Sequence, residues 1–370
     1  MDYLDYRSSS EASSYRPHIF RLTKDEDVDG FNDLIGNPDL VILDTLQKQL
    51  AELLQLRQPT KKLQQEELKT GINELLGELG FHEYGVWAYY PWNNRLIHLV
   101  DKDDFYELRT SRNRLKITRE EQDLLAQKKI GIVGLSVGNA IAVTMIMERI
   151  CGEIRLADFD TLDLTNLNRI RCGIHQIGIN KAIITAREIA EIDPFVEVKV
   201  FDDGLTPENI GAFFSAGGQL DLVADECDSL EMKFQIRQHA RKLGVPVVME
   251  TSDRGMLDVE RFDLEANRPL FHGRIAHLGE PEAGPIEPQL RMQYLMSIVD
   301  YQQISGRLRD SYGEIGRTLT TWPQLASAVI MGGGTMTDVS RRMLLGQFKD
   351  SGRFYFDTEQ MLQHPTKQQP

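Results

Sequence analysis

The chain is poor in cysteine. Its 370 residues include three, Cys151, Cys172 and Cys227, and no two of them stand in C-x-x-C spacing. That excludes a disulfide framework and a four-thiolate zinc centre, so no zinc is expected. No apolar run approaches the roughly 18 residues needed to span a bilayer, and no membrane partner is expected. The first residues, MDYLDYRSSSEASSYRP, have neither the basic nor the apolar region of a secretory leader, which points to a cytoplasmic protein. Positive charge is scarce as well: 42 Lys and Arg face 56 Asp and Glu, a formal net charge of -14. This balance weighs against a nucleic-acid partner, which requires a broad basic surface.

One segment reverses that balance. From Leu164 to Lys181 there is no acid, while Arg169, Arg171 and Lys181 supply positive charge with His175 beside them. The segment directly follows an acidic turn, ADFD, ending at Asp160. The rest of the composition, 41% hydrophobic and 26% charged, is that of an ordinary globular protein with room for two domains.

Residues 1–17 are rich in Ser and Tyr without periodicity and are expected to be a disordered tail. Residues 18–108 read as a small α+β accessory region. Pro38 to Gln58 shows Leu and Val at helical spacing, and TKKLQQEELKTGINELLGELG continues that style. GVWAYYPWNNRLIHLV then reads as a hairpin turning at PWNN, either a scaffold element or an aromatic docking surface.

The pattern changes at Lys129. KIGIVG is a short apolar strand, and LSVGNAIAVTMIMERICG a turn and apolar helix stopped at Gly152. EIRLADFD, VEVKVF, DLVADE and VPVVME are further strands, separated by helices over KAIITAREIAEIDP and LEMKFQIRQHARKLG. Such alternation predicts an α/β fold with a doubly wound, Rossmann-like, mainly parallel sheet over residues 109–350. A last helix after Pro323 is expected to break at three glycines, and 351–370 to form a C-terminal tail.

The turn GLSVGNA places Gly134, Ser136 and Gly138 between the first strand and its helix, where phosphates approach backbone amides. Asp158 ends the second strand, the usual place for an acid that accepts from a ribose hydroxyl. An NAD-binding domain would show much the same. Ser136 and Val137 break the G-x-G-x-x-G fingerprint, so plain turn chemistry also stays open.

The basic segment adds what a dinucleotide does not require. TNLNRIR gathers Asn166, Asn168, Arg169 and Arg171, Lys181 opens the next helix, and Asp228 follows the strand DLVADE. A carboxylate that attacks ATP must approach an anionic triphosphate. Fixed cations and a magnesium ion held by a carboxylate meet that demand, and Arg169, Lys181 and Asp228 suit those roles. Singly, Arg171 reads equally as a surface charge and Asp228 as a helix N-cap.

Together these residues resemble the ThiF/MoeB/HesA superfamily, whose fold is shared by ubiquitin-activating enzymes. The resemblance runs from about Arg109 to Gly346 through RTSR, GLSVGN, ADFDT, TNLNRIR, GINK and DECD, in the family's order. It implies that Asp158 binds ribose with Asp160 close by, and that Asn166 and Arg169 touch phosphates. Lys181 would lie beside the reacting phosphate, Asp228 would hold magnesium, and Arg112 would reach into the neighbouring subunit's site in a homodimer. The implied activity is ATP-dependent adenylation of a carboxylate, whether a peptide or small-protein C-terminus or a small metabolite. A tRNA-borne carboxylate, used by some relatives, is disfavoured by the acidity.

The departures bear on that chemistry. Ser136 and Val137 replace a Gly-Gly pair, Ile170 replaces a Gln, and the family's paired zinc motifs are missing. No cysteine follows Cys227, so adenylation without a thioester is expected; Cys172, near the basic segment, reads as a bystander thiol first and as a nucleophile second. A non-catalytic nucleotide-binding or scaffolding protein is the alternative function, and a nicotinamide-dependent oxidoreductase a further one. GLSVGNA, DECDSL and METSDRGMLDVERFDLE also resemble a subgroup often continued by a nitroreductase-like flavin domain; FMN is not expected in this chain.

Overall fold

The computed structural model describes residues 12–281 and 284–363. Residues 1–11 of the expected N-terminal tail and 364–370 of the expected C-terminal tail lie outside them. The chain divides into two compact units, residues 1–122 with 190–195, and residues 123–189 with 196–370.

The first unit carries a four-stranded sheet of β1 (His18–Phe20), β2 (Val41–Asp44), β3 (Val86–Tyr90) and β4 (Arg95–Leu99), in the order β1-β3-β4-β2. β3 and β4 are the expected hairpin. β2 runs parallel to β4, with Asp44 opposite His98. The stretch from Pro38 to Gln58 is therefore not helical throughout. Its helix occupies Leu46–Arg57, and Val41, Ile42 and Leu43 extend as a strand. The β-branched pair Val41-Ile42 suits the extended backbone, and the Asp44 carboxylate accepts the Leu46 amide at 3.3 Å where the helix begins. Leu46, Leu50, Ile72 and Val100 form the unit's helical core.

The second unit is built on a seven-stranded sheet. Its strands are β5 (Lys129–Val133), β6 (Glu153–Ala157), β7 (Glu197–Phe201), β8 (Leu222–Asp225), β9 (Val247–Thr251), β10 (Met256–Glu260) and β11 (Gly352–Tyr355). They lie in the order β11-β10-β9-β8-β5-β6-β7. β5 to β9 are parallel, whereas β10 and β11 extend one edge antiparallel. The doubly wound, Rossmann-like, mainly parallel sheet is thus present. The chain winds from β5 through β6 to β7, then returns to β8 on the other side of β5. The gap between the carboxyl ends of β5 and β8 is the switch point where such sheets place ligands. β5 is nearly continuously apolar because both of its faces are covered. Gly131 in its middle admits the Phe213 ring, which a side-chain carbon there would meet at 2.7 Å.

Two helices differ from the sequence reading. The helix after β5 spans Gly138–Glu148 and ends on Arg149 in the left-handed conformation, before Gly152 is reached. Gly152 serves a close approach instead, since a Cβ there would lie 1.9 Å from the Ala126 carbonyl oxygen. The helix expected to break at three glycines runs unbroken over Ala326–Leu344. Gly333 lies against the backbone of the helix Gly138–Glu148, where a Cβ would stand 3.0 Å from the Ala140 carbonyl oxygen. No helix among the described residues is long and apolar enough to cross a membrane.

Candidate nucleotide site and adjoining cavity

The turn after β5 is fixed from two sides. Gly134 has φ 86°, and a Cβ there would sit 2.4 Å from the carbonyl oxygen of Glu226 in the loop after β8. Only glycine meets both conditions. On the other side, the Leu135 amide donates to Asp158 Oδ2 at 2.6 Å and the Asp160 amide to Oδ1 at 2.8 Å. Burial pushes the Asp158 carboxyl up, and these two hydrogen bonds work against that shift. Asp158 therefore ties the end of β6 to the phosphate turn. Gly138 lets the following helix approach β5, since a Cβ there would lie 2.9 Å from Ile132 Cγ2.

The basic segment folds back over this turn. Leu164–Asn168 is a short 3-10 helix; Asp163 donates its amide to Asn166 Oδ1 at 2.9 Å, which buries Asn166 as a structural brace. Arg169 Nε then donates to Ser136 Oγ at 2.9 Å, and Nη1 to Asn168 Oδ1 at 2.9 Å. Asn168 in turn donates to the Gln324 carbonyl at 2.8 Å. Burial lowers the Arg169 pKa, with Asp228 opposing that shift. Ser136, at the position of a family glycine, is thus the hydroxyl that holds Arg169.

Lys181 opens the helix Lys181–Ile192; it is buried, and its Nζ reaches Asp160 Oδ2 at 2.8 Å. The Asp160 side chain is 53% exposed, so the pair faces solvent on the acid's side. The N-cap of the helix Leu230–Leu243 is Ser229, whose hydroxyl accepts the Met232 amide. Asp228 is exposed one residue earlier and does not cap it. Arg171 is also exposed, and burial pushes the Cys172 thiol up, away from reactivity. Gly134, Ser136, Asp158, Arg169 and Asp228 thus converge on the carboxyl ends of β5, β6 and β8, with the Lys181–Asp160 pair next to Asp158. Arg112 belongs to the first unit, exposed on the 3-10 turn Ser111–Asn113.

Beside this site lies a cavity of about 330 Å³. Ser136, Arg169 and Asp228 line one side, and Leu295, Ile298, Tyr312 and Trp322 belong to its apolar wall. Two carboxylates that the sequence reading passed over, Glu226 and Glu250, also line it. Glu226 Oε1 accepts the Glu250 amide at 2.8 Å. Glu250 is 4% exposed, and neither of its carboxylate oxygens has a hydrogen-bond partner. Burial pushes its carboxyl up to about 8; burial and the neighbouring Glu250 push Glu226 up as well. In the sequence both follow apolar strand residues, DLVAD and VPVVM, a pattern that does not by itself single them out.

Behind these acids the buried charges compensate one another. Lys233 and Arg237 both pair with Asp225, and Arg237 also bonds Glu260 while lying 4.0 Å from the Phe271 ring centroid. Asp258 is held at about 2 by His272 and Arg353 against the cost of its burial. An unpartnered buried carboxylate costs about 1–3 kcal/mol or more, so Glu250 stands apart from this neutralised core.

A glycine turn at the switch point of a doubly wound sheet, overlaid by an arginine bonded to its serine, stands where such sheets place their ligands. Residues 110–272 match the model of the ThiF family, and the chain carries a ThiF-family domain. It is 43% identical over 276 residues to an uncharacterized protein of Mycobacterium tuberculosis, covering 75% of this chain and 38% of that one. It is 31% identical over 136 residues to the tRNA threonylcarbamoyladenosine dehydratase of Escherichia coli, covering 36% of this chain and 50% of that enzyme. Against the molybdopterin-synthase adenylyltransferase of Haemophilus influenzae it is 26% identical over 154 residues, covering 40% of this chain and 61% of that enzyme. The chain thus spans well under two thirds of the length of the first two of these relatives.

Proposed function

We propose that this protein is an ATP-dependent adenylyltransferase that activates a carboxylate as an acyl-adenylate, releasing pyrophosphate. One observation carries the reading: Arg169 is bonded to Ser136 of the turn after β5, and with Asp228, whose charge acts on it, lines the adjoining cavity. A dinucleotide site needs no such cation, whereas a carboxylate approaching ATP needs its negative charge offset where it develops.

In this reading the amides of the turn that Asp158 holds receive phosphate oxygens. Arg169 and Lys181 stabilise charge growing at the α-phosphate, Lys181 being released from Asp160 as the nucleotide arrives. Asp158 and Asp160 face the ribose. Asp228 offers the exposed hard-oxygen donor that magnesium takes alongside phosphates, and the ion supplies charge neutralisation when bound. The cavity's apolar wall excludes water from an intermediate that water would hydrolyse. The two relatives of named activity, an adenylyltransferase and a dehydratase of a tRNA nucleoside, are in keeping with activation of oxygen by ATP.

The test is exchange of labelled pyrophosphate into ATP by the full chain with magnesium, against pools of peptides, metabolites and tRNA. Carboxylate-dependent exchange is the expected outcome. ATP binding without exchange from any pool sinks the enzymatic reading and leaves a nucleotide-binding scaffold. Exchange that depends on tRNA would move the substrate to a nucleic acid, as in the Escherichia coli relative's name.

We further propose a symmetric dimer in which Arg112 completes the partner's site. Arg112→Ala and Lys181→Ala dimers should each be nearly inactive, and random mixing should restore at most roughly a quarter of wild-type activity, for independent sites in a closed two-fold dimer. No recovery after demonstrated subunit exchange removes Arg112 from the partner's site.

A further inference from the structure

Glu250 is costly in three ways at once. It sits at the carboxyl end of β9 with both carboxylate oxygens buried and unpartnered. Its neighbour Glu226 is a second carboxylate, close enough to accept its amide. The helix Ala326–Leu344 gives up a side chain at Gly332 to make room for it, since a Cβ there would lie 2.4 Å from the Glu250 carboxyl carbon. A glycine in mid-helix is itself unfavourable. Groups held against so many opposing terms mark functional sites.

Among the described residues no cation forms an ion pair with Glu250 or Glu226; Lys233, which also lines the cavity, acts on Glu226 only through its charge. Lys233 and Arg237 are committed to Asp225, and Arg237 also to Glu260. Arg291 pairs with Glu231, and Arg169 is bonded to Ser136 and Asn168. Both residues belong to the lining of the cavity, which also includes the apolar side chains of Leu295, Ile298 and Trp322. A ligand that satisfies both ends has a cationic head and an apolar body.

We propose that the cavity is an acceptor subsite for an amine, which docks its ammonium on Glu250 and Glu226 and then attacks the acyl-adenylate. This rests on the adenylylation reading. An ammonium must lose two protons to become an amide nitrogen. Glu250 accepts the first, freeing the nitrogen lone pair. The nitrogen bonds the acyl carbon, the bond from that carbon to the AMP oxygen breaks, and AMP departs with the electron pair. The second proton passes to solvent, leaving amide and AMP. The raised proton affinity of Glu250, caused first by burial, suits a group that must collect a proton near neutrality.

The probes are three molecules with one apolar body and different charge, 2-phenylethylammonium, 2-phenylethanol and 3-phenylpropanoate, titrated calorimetrically into the full chain. The ammonium is expected to bind, and Glu250→Gln to weaken it at least about tenfold, as for loss of a charge-assisted bond. Equal binding of the alcohol, or undiminished binding by Glu250→Gln, overturns the proposal. Magnesium titrated alone is a further arm: Glu250-dependent binding of it assigns the pair to a metal and equally overturns the amine. Thermal unfolding checks that Glu250→Gln is folded, and Glu226→Gln supplies a second variant with the same expected loss. Wild-type pyrophosphate exchange decides the adenylate reading by itself, so exchange without ammonium binding sinks only this inference.

Discussion

Gly332 and Glu250 share a space that holds only one of their side chains: a carbon at 332 would lie 2.4 Å from the Glu250 carboxyl carbon. The obstructing group is the end of a flexible side chain. Gly332→Ala should therefore displace the carboxylate and leave the helix intact. Alanine gains about 1 kcal/mol in helix propensity, so the melting temperature should hold or rise while ammonium binding falls. Gly333→Ala should do the reverse, because there the neighbour is the backbone at Ala140, 3.0 Å away. Two helices must part, at about 1–3 kcal/mol, and the melting temperature should drop. Equal melting points for the two variants would sink the distinction.

The Glu250 carboxyl, at about 8 in the fold and near 4.5 in the unfolded chain, binds a proton more tightly when folded. Its contribution to stability is complete below the unfolded value and is lost as pH rises to about 8. Glu226 acts in the same direction. Chemical denaturation from pH 4.5 to 9 should show Glu250→Gln gaining on wild type across that window, by at most about 1.4 kcal/mol per pH unit. Parallel curves would mean that the carboxylate is not held as described.

Asp158→Asn keeps the shape of the strap on the phosphate turn but not its chemistry. Both carboxylate oxygens accept backbone amides, from Leu135 and Asp160. An asparagine amide turns a donor toward one of them, costing about 1–3 kcal/mol. ATP affinity should fall together with stability, and calorimetry on a variant of unchanged melting temperature would separate the two.

Lys181→Ala removes a buried cation whose partner in the resting protein, Asp160, is half exposed and tolerates its loss. Turnover should drop by on the order of 10²–10³-fold with a much smaller change in ATP affinity, as for an oxyanion donor. Undiminished pyrophosphate exchange would exclude Lys181 from the reacting phosphate.

Asp228→Asn should weaken magnesium-dependent ATP binding and leave metal-free binding similar, since the amide is a poorer donor for a hard cation. The cap of the adjacent helix is Ser229, so no loss of helix stability should accompany the change.

The parallel sheet could be read from the chain because β5 to β9 are short apolar runs at regular spacing, each needing a helix to return. β10 and β11 escaped because MLDVE and GRFY lack that spacing: β10 pairs with β9 through a reversal at Arg254 and Gly255, both at positive φ, and β11 joins β10 from far along the chain. The cationic half of the site was legible in TNLNRIR and Lys181, since like charges gathered in an acidic chain ask for an anion. Glu226 and Glu250 were not, because an acid after an apolar strand normally marks only the return to water. Glu250 packs beneath the helix Ala326–Leu344 at Gly332, and that helix's glycines read as a break because propensity carries no information about what a helix must pack against. The arrangement of Ser136 with Arg169 was likewise hidden: a serine for glycine looks like loss until the arginine it holds is placed.

Gly134 meets the Glu226 carbonyl with no space for even a methyl group between the two loops. The turn that would hold the phosphates and the segment that begins the cavity are in mechanical terms one part. A substitution that reshapes Glu226–Asp228 to suit a new acceptor also strains the nucleotide turn, and relatives that diverge in acceptor choice have little freedom there. The freedom lies in Leu295, Ile298, Tyr312 and Trp322, which line the cavity from segments later in the chain. Acceptor preference can drift through those positions while the phosphate turn is left as it is.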